Sequence, residues 1–325
     1  MPNTTYEIRL KPLSPVRQAF DATSLFGHLA WAQRYTSDKK EFSDWLQSFV
    51  RGTAPFLISS AFPTTYFPRP NIPEAHITDT KLRKTVRKLA FLPSNVFESL
   101  CQASSIDDMN KAIKDEVERR EASNTSQDSS SFWRGHSQTR VAIDRQTGAA
   151  IDGQLFNSYS NVLDPKIETL SVFLRTDSEI QLEHVKGLLT LIGLMGIGGQ
   201  SSIGLGAFEL ISSDKAPDFL QDKTSDYHIS LAPVRPSADL VGYWKLRPYW
   251  GRLGGAYASQ VVFKRPYLRI QHGALLARNA VGGMLDTTPP GEGNNPEQTI
   301  DAPVTIYDYL YSFPIACNLS NIPEG

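Results

Sequence analysis

At 325 residues, with 33 Lys and Arg against 34 Asp and Glu and a formal net charge of −1, the chain is long enough for two domains or one of double size, and it is not a globally basic nucleic-acid binder. A local basic patch remains open to it. Its only cysteines, Cys101 and Cys317, are too far apart in sequence to suggest a disulfide framework or a metal-ligand cluster, so neither metal nor cofactor is expected; no apolar run would span a bilayer, and residues 1–7 lack the basic-then-apolar pattern of a secretory signal, so a cytoplasmic location is expected.

Tyr6, Ile8 and Leu10 alternate with polar residues and predict a half-exposed strand that Pro12 and Pro15 end. Asp21, Thr23 or Ser24 can cap a helix carrying Leu25, Phe26, Leu29, Trp31 and Ala32. A second short helix carries Phe42, Trp45, Leu46 and Phe49 on one side. Residues 55–75, rich in proline and aromatics, read as extended loop. Lys81, Arg83, Lys84, Arg87 and Lys88 form the densest basic cluster, either a solvated helix face or a phosphate-facing patch. Residues 105–122 read as helix and 122–131 as a flexible, serine-rich insertion. A hairpin follows over 140–156, its turn near residues 146–148.

A strand at 167–174 leads to a helix over 179–195, with Leu182, Val185, Leu188, Leu189, Ile192 and Met195 at helical spacing. A glycine-rich loop comes next, then a strand from Ala207 to Ile211. Polar residues 212–226, with Pro217, suggest a domain junction. The second half restarts with a strand at 227–233, passes through aromatic-rich 243–250 and an apolar run ending in Phe263, and meets a proline- and glycine-rich loop at 286–301. A final strand is expected over 305–315. Both halves mix strands with few helices, which predicts an α+β protein of two small domains, 1–212 and 213–325.

The loop at 196–206 is the most informative segment. Gly198, Gly199, Gly204 and Gly206, with Gln200, Ser201 and Ser202, give a backbone that turns freely, and successive free N–H groups there can cradle an anion. It lacks the lysine of a Walker loop, and it follows a helix and precedes a strand, the reverse of a dinucleotide fingerprint. The helix therefore turns its partly negative C-terminal end toward the loop. A nucleic acid bound here would rely on loop amides, the Gln200, Ser201 and Ser202 side chains, and cations from elsewhere; the alternative is a plain glycine-rich turn.

Several segments, weak singly, share one order: residues 25–32 (LFGHLAWA), Phe67-Pro68-Arg69-Pro70, the basic run into Phe91-Leu92-Pro93, Ile143-Asp144-Arg145 followed by Thr147-Gly148, and Gly198 to Phe208. Weaker likeness continues through Phe263-Lys264-Arg265-Pro266 and Tyr311 to Ile315. In this order the chain resembles the RAMP proteins of CRISPR effector complexes, and among them the type III-A (Csm) subunit that holds the 5′ end of the guide RNA. The resemblance implies two ferredoxin-like, RRM-related domains and a glycine-rich loop after the last helix of the first. It implies that the hairpin is the so-called thumb, which intrudes beside the guide RNA in relatives. The implied partners are single-stranded guide RNA, the large signature subunit and the repeated backbone subunit, with no membrane and no small-molecule substrate. On this reading Ser201 and Ser202 bond phosphate or ribose, Arg140 and Arg145 clamp phosphates or stack on bases, Thr147 lies in the intruding turn, and Asp144 orients Arg145 or its own turn.

Guide-processing relatives in this superfamily are metal-independent ribonucleases with a general base, usually histidine. His28 is the candidate for such a base here; otherwise it is a structural helix residue. His136, His184, His228 and His272 occur singly. Asp21 occupies a stretch comparable to that of the target-cutting aspartate of the backbone subunit, but serves more simply as a helix cap. Asp107 and Asp108, adjacent on a helix, point to different sides and make a poor metal pair. The expectation is a non-catalytic RNA-binding subunit of an antiviral ribonucleoprotein. A guide-processing endoribonuclease using His28 and a pure protein-interaction scaffold are the alternatives.

Overall fold

The computed structural model describes residues 4–17, 20–75, 78–122, 132–255, 263–289 and 305–320. In chain order the first half carries β1 (Thr4–Pro12), α1 (Ala22–Thr36), α2 (Lys39–Val50), β2 (Leu57–Ile58), β3 (Phe62–Pro63), β4 (Tyr66–Pro68), α3 (Thr80–Lys88), β5 (Phe91–Pro93), α4 (Ser94–Gln102), α5 (Ile106–Ala122), β6 (Trp133–Ile143), β7 (Ala150–Leu163), β8 (Leu170–Thr176), α6 (Glu179–Met195) and β9 (Phe208–Lys215). The second half carries β10 (Tyr227–Ser230), β11 (Gly242–Tyr243), β12 (Leu246–Tyr249), β13 (Tyr267–Ile270), β14 (Leu275–Ala277), β15 (Gly282–Asp286), β16 (Tyr307–Tyr311) and β17 (Pro314–Cys317).

The first sheet runs β2-β8-β1-β9, with β3 also on β8 and every pairing antiparallel. With α1 between β1 and β2 and α6 between β8 and β9, this is the split βαβ order β–α–β–β–α–β. β8 is buried along its whole length, so it carries Leu170, Val172, Phe173 and Leu174 as a nearly continuous apolar run rather than an alternating one. Its one arginine, Arg175, is compensated on all sides. It donates to Thr5 Oγ1, Asp222 Oδ1 and the Leu220 carbonyl, and its guanidinium lies 4.9 Å from the Phe313 ring centroid. α1 begins where expected, with the Asp21 carboxylate accepting the Ser24 N–H at 2.8 Å.

The second half is built differently from the expectation of a second helix-bearing ferredoxin-like unit. Among its described residues there is no α-helix; a sheet in the order β11-β14-β10-β17 is flanked by the ribbons β12-β13 and β15-β16. The expected last strand is two strands: β16 pairs with β15, and after Ser312 and Phe313 the chain enters β17 beside β10. β9 continues through the 212/213 boundary, and the passage to the second sheet comes after Lys215.

One apolar core runs through both halves. Tyr309 of β16 is fully buried among α1 and α2, its ring stacked 4.8 Å from Phe26 and its hydroxyl accepting the Ile58 N–H at 3.1 Å. Thr23 donates to the Tyr309 carbonyl at 2.9 Å, and Arg269 of β13 donates to Asp21 at 2.9 Å. The two cysteines also meet across this contact: both are buried, and the neighbouring Cys317 thiol together with burial pushes the Cys101 thiol well above its ordinary range. Both remain free thiols. Among the described residues no helix is long and apolar enough to cross a membrane, and no group of three or more His, Cys, Asp or Glu could hold a metal ion.

Candidate nucleic-acid interface

The glycine-rich loop is pinned at both ends and open in the middle. Gly196, at the C-cap of α6, has φ +79°, and a Cβ there would lie 2.5 Å from the Leu205 carbonyl oxygen. Gly206 also has φ +79°, and its Cβ would lie 2.0 Å from the Ile197 carbonyl oxygen. Only glycine permits both this backbone and this approach. The two arms are tied by Ile197 N–H to the Gly206 carbonyl at 2.9 Å, while Gly206 N–H donates to the Pro15 carbonyl at 2.9 Å. Between the pins, residues 199, 200, 202, 203 and 204 are exposed. Gln200 adopts a left-handed conformation (φ +68°) before a single 3-10 turn at Ser201–Ile203. The amides of Gly199, Gln200, Ser201 and Ser202 have no acceptor among the described residues. A run of unpaired N–H groups is the partial positive charge that an oxyanion seeks.

Beside the loop stands the base of the β6–β7 hairpin. Val16 and Asn161 pair as an antiparallel bridge, Ser158 Oγ donates to Gln200 Oε1 at 3.4 Å, and the Asn161 amide donates to the Arg17 carbonyl at 3.1 Å. Arg17 completes the corner. Its Cγ lies 3.5 Å from where a Gly199 Cβ would stand, and its guanidinium donates to the Tyr159 carbonyl at 2.5 Å. Tyr159 itself is 59% exposed. Sequence reasoning missed Arg17, whose only signal is its place just after the first strand.

The hairpin is far longer than the 140–156 expected, with 143 still paired to 150 and 133 to 163. Of the expected insertion, residue 122 closes α5 and 123–131 lie outside the described residues; His136 is in β6. Arg140, opposite Phe156, is roughly 7 Å along the ribbon from the Ser158 contact, and its guanidinium donates to Gln138. Arg145 and Thr147 sit in the turn, roughly 25 Å beyond Ser158. The glycine loop and this turn are therefore two separate points, at opposite ends of the ribbon. Asp144 serves its own turn, as expected. Its carboxylate accepts from Gln146 N–H (2.7 Å) and Thr147 N–H (3.1 Å), which hold it below the usual carboxylate range. Thr147 Oγ1 accepts the Ala149 N–H at 3.3 Å.

Lys81, Arg83, Lys84, Arg87 and Lys88 lie on the exposed side of α3, with Leu82 and Val86 buried beneath. Among the described residues no hydrogen bond or ion pair joins them to the glycine loop. Arg87 pairs with Glu74 at 2.8 Å, and the cleft of about 250 Å³ between α3 and α5 is lined by Glu74 and Asp107 as well as Arg83 and Lys111. The α3 cations form a patch of their own, its charge partly neutralised.

His28, one turn beyond Ser24 on α1, accepts the Gly198 N–H at its Nε2, 2.9 Å away. Burial, with repulsion from Lys264, pushes its pKa down to about 4. Asp21 is committed as the α1 cap and as the partner of Arg269. His228 and His272 are likewise pushed down to about 4, chiefly by burial. Unfolding would return these imidazoles to about 6.5, so the unfolded chain binds protons first as pH falls. Stability is expected to be full above pH 6.5 and to decline toward pH 4, by on the order of 3 kcal/mol for His228 alone. Urea unfolding at pH 7 and pH 5 checks this, and equal free energies would contradict neutral imidazoles.

The chain belongs to the RAMP superfamily, whose family model matches residues 19–209. A chain of the Csm3–Csm4 subcomplex of the type III-A CRISPR-Cas interference complex has the same fold, with a TM-score of 0.58 and 17% identity, over 96% of this chain and 99% of that one. A chain of the Csm1–Csm4 cassette in complex with pppApA matches at a TM-score of 0.54 and 18% identity, over 99% of both chains. No curated protein matches the sequence.

Proposed function

We propose that this chain is a non-catalytic, RNA-binding subunit of a type III (Csm) CRISPR effector. It would anchor the 5′ repeat-derived end of a single-stranded guide RNA and dock the large signature subunit and the backbone subunit. The observation that carries this reading is the row of unpaired amides at 199–202, set beside Arg17 and the hairpin base. A near-full-length likeness to chains of Csm3–Csm4 and Csm1–Csm4 assemblies supports it. RNA held this way is gripped by its phosphates and ribose without a duplex groove, and Tyr159 offers an exposed ring to a base. Leu155 (71% exposed) and Phe156 (52% exposed) stand on the same ribbon and suit a neighbouring protein surface. The committed Nε2 of His28 favours this reading over a ribonuclease, because its lone pair already accepts the Gly198 N–H.

The deciding experiment is crosslinking of guide RNA in the purified assembly, expected to map to residues 196–206 and to the hairpin. Crosslinks confined to other subunits would leave a protein-interaction scaffold. RNA cleavage by the isolated chain, lost in His28→Ala, would instead establish the ribonuclease. Arg17→Ala is expected to weaken RNA binding and to lower the slope of log affinity against log salt by about 0.7, the loss of one phosphate contact on a single strand. Arg145→Ala should do the same if the turn meets phosphate; fluorescence titrations at several salt concentrations read both.

A further inference from the structure

The histidine weighed as a base has a different employment. Its bond to Gly198 crosses from α1 to the loop between the two glycine pins, one residue before the first unpaired amide. Gly198 has φ +86° and open space where a Cβ would be, so no neighbour crowds it on that side. The neighbouring pins are held by backbone contacts, whereas Gly198 is held by a side chain from another element. We infer that His28 is a positioning residue: by accepting the Gly198 N–H it fixes the turn that presents the amides of residues 199–202 outward.

The ring must be neutral for this, because Nε2 is the acceptor and its proton therefore sits on Nδ1. A protonated ring would aim one N–H at another and release the loop. The surroundings oppose that protonation. The ring is largely enclosed, and Lys264, ion-paired to Asp308 in the second half, repels a second cation. Ser24, one turn earlier on α1, meets the Tyr249 hydroxyl at 3.4 Å, so the second half packs against this same stretch of helix. A residue on the first helix, backed by the second half, thereby sets the conformation of a loop far from both in sequence.

The inference rests on the proposed RNA-binding role of the loop, and the test separates the two. In the full chain, His28→Leu is expected to speed amide exchange at Gly198 about tenfold and to weaken binding of a labelled single-stranded RNA with a repeat-derived 5′ end by about tenfold, the worth of one lost hydrogen bond to a partly buried group. His28→Gln, whose amide oxygen reaches where Nε2 stood, is expected to restore both to within about threefold. His28→Asn is too short and should not, so the Gln and Asn pair carries the test if the Leu variant does not fold. In the unaltered chain, nitrogen NMR is expected to show the Nδ1–H tautomer. An Nε2–H tautomer, or Gly198 exchange unchanged in His28→Leu, would overturn the inference. Faster exchange with unchanged RNA affinity would uphold the tether and refute RNA binding at the loop.

Discussion

Gly206→Ala is expected to dislodge the glycine loop and destabilise the chain by about 3 kcal/mol or more. The added methyl would stand 2.0 Å from the Ile197 carbonyl oxygen and 2.7 Å from its nitrogen, and both belong to backbone that cannot swing aside. Ile197 is tied to the Gly206 carbonyl and Gly206 to Pro15, so relief of the clash breaks hydrogen bonds at both arms. The left-handed φ of +79° adds a strain of roughly 1–2 kcal/mol for any residue with a Cβ. Gly204 is the control. It has φ +89° but nothing within 4 Å of its Cβ position, so Gly204→Ala should cost only the strain, about 1 kcal/mol. A bulkier Gly204→Val, facing solvent where a ligand would approach, should weaken RNA binding more than it lowers stability. Urea midpoints together with RNA titrations distinguish the two positions; equal stability loss at 204 and 206 would contradict the pinned-arm geometry.

Asp308→Ala is expected to cost about 3–5 kcal/mol, because it strands a cation. The Asp308 side chain, 3% exposed, receives the Lys264 ammonium and accepts the Tyr267 hydroxyl at 2.9 Å, and Lys264 is itself only 14% exposed. With the carboxylate gone, Lys264 must find water or deprotonate. The double substitution Lys264→Met with Asp308→Leu removes both charges and is expected to recover most of the loss. A double variant as unstable as Asp308→Ala would show that the site depends on more than charge pairing.

The elements legible in the sequence were those with a strong local signal. The α6 periodicity, the Asp21 cap and the alternation of β1 each follow from residues within one or two turns of one another. α4 was missed because Phe97, Leu100 and Cys101 give it barely two turns of pattern, opened by Pro93 without a side-chain cap. The turn itself was legible because five glycines in eleven residues between a helix and a strand mark one. Its surroundings were not. His28 reaches it across 170 residues, and Arg17 meets the hairpin base beside it across 142, through helix packing and a β-bridge that no local pattern encodes. The second half misled for a related reason: its aromatic alternation signals strands but not which sheet each joins, and β16 and β17 look like one strand until Pro314 is seen to open the second.

The β6–β7 ribbon touches the rest of the chain around Phe132, Ser158 and Asn161 and is exposed on most positions beyond. Mechanically it is a cantilever. With a free arm of roughly 25 Å, a tilt of about 5° at its root carries the Arg145 turn by about 2 Å, more than the tolerance of a hydrogen bond. A small displacement at the Ser158–Gln200 contact is therefore magnified at the far turn.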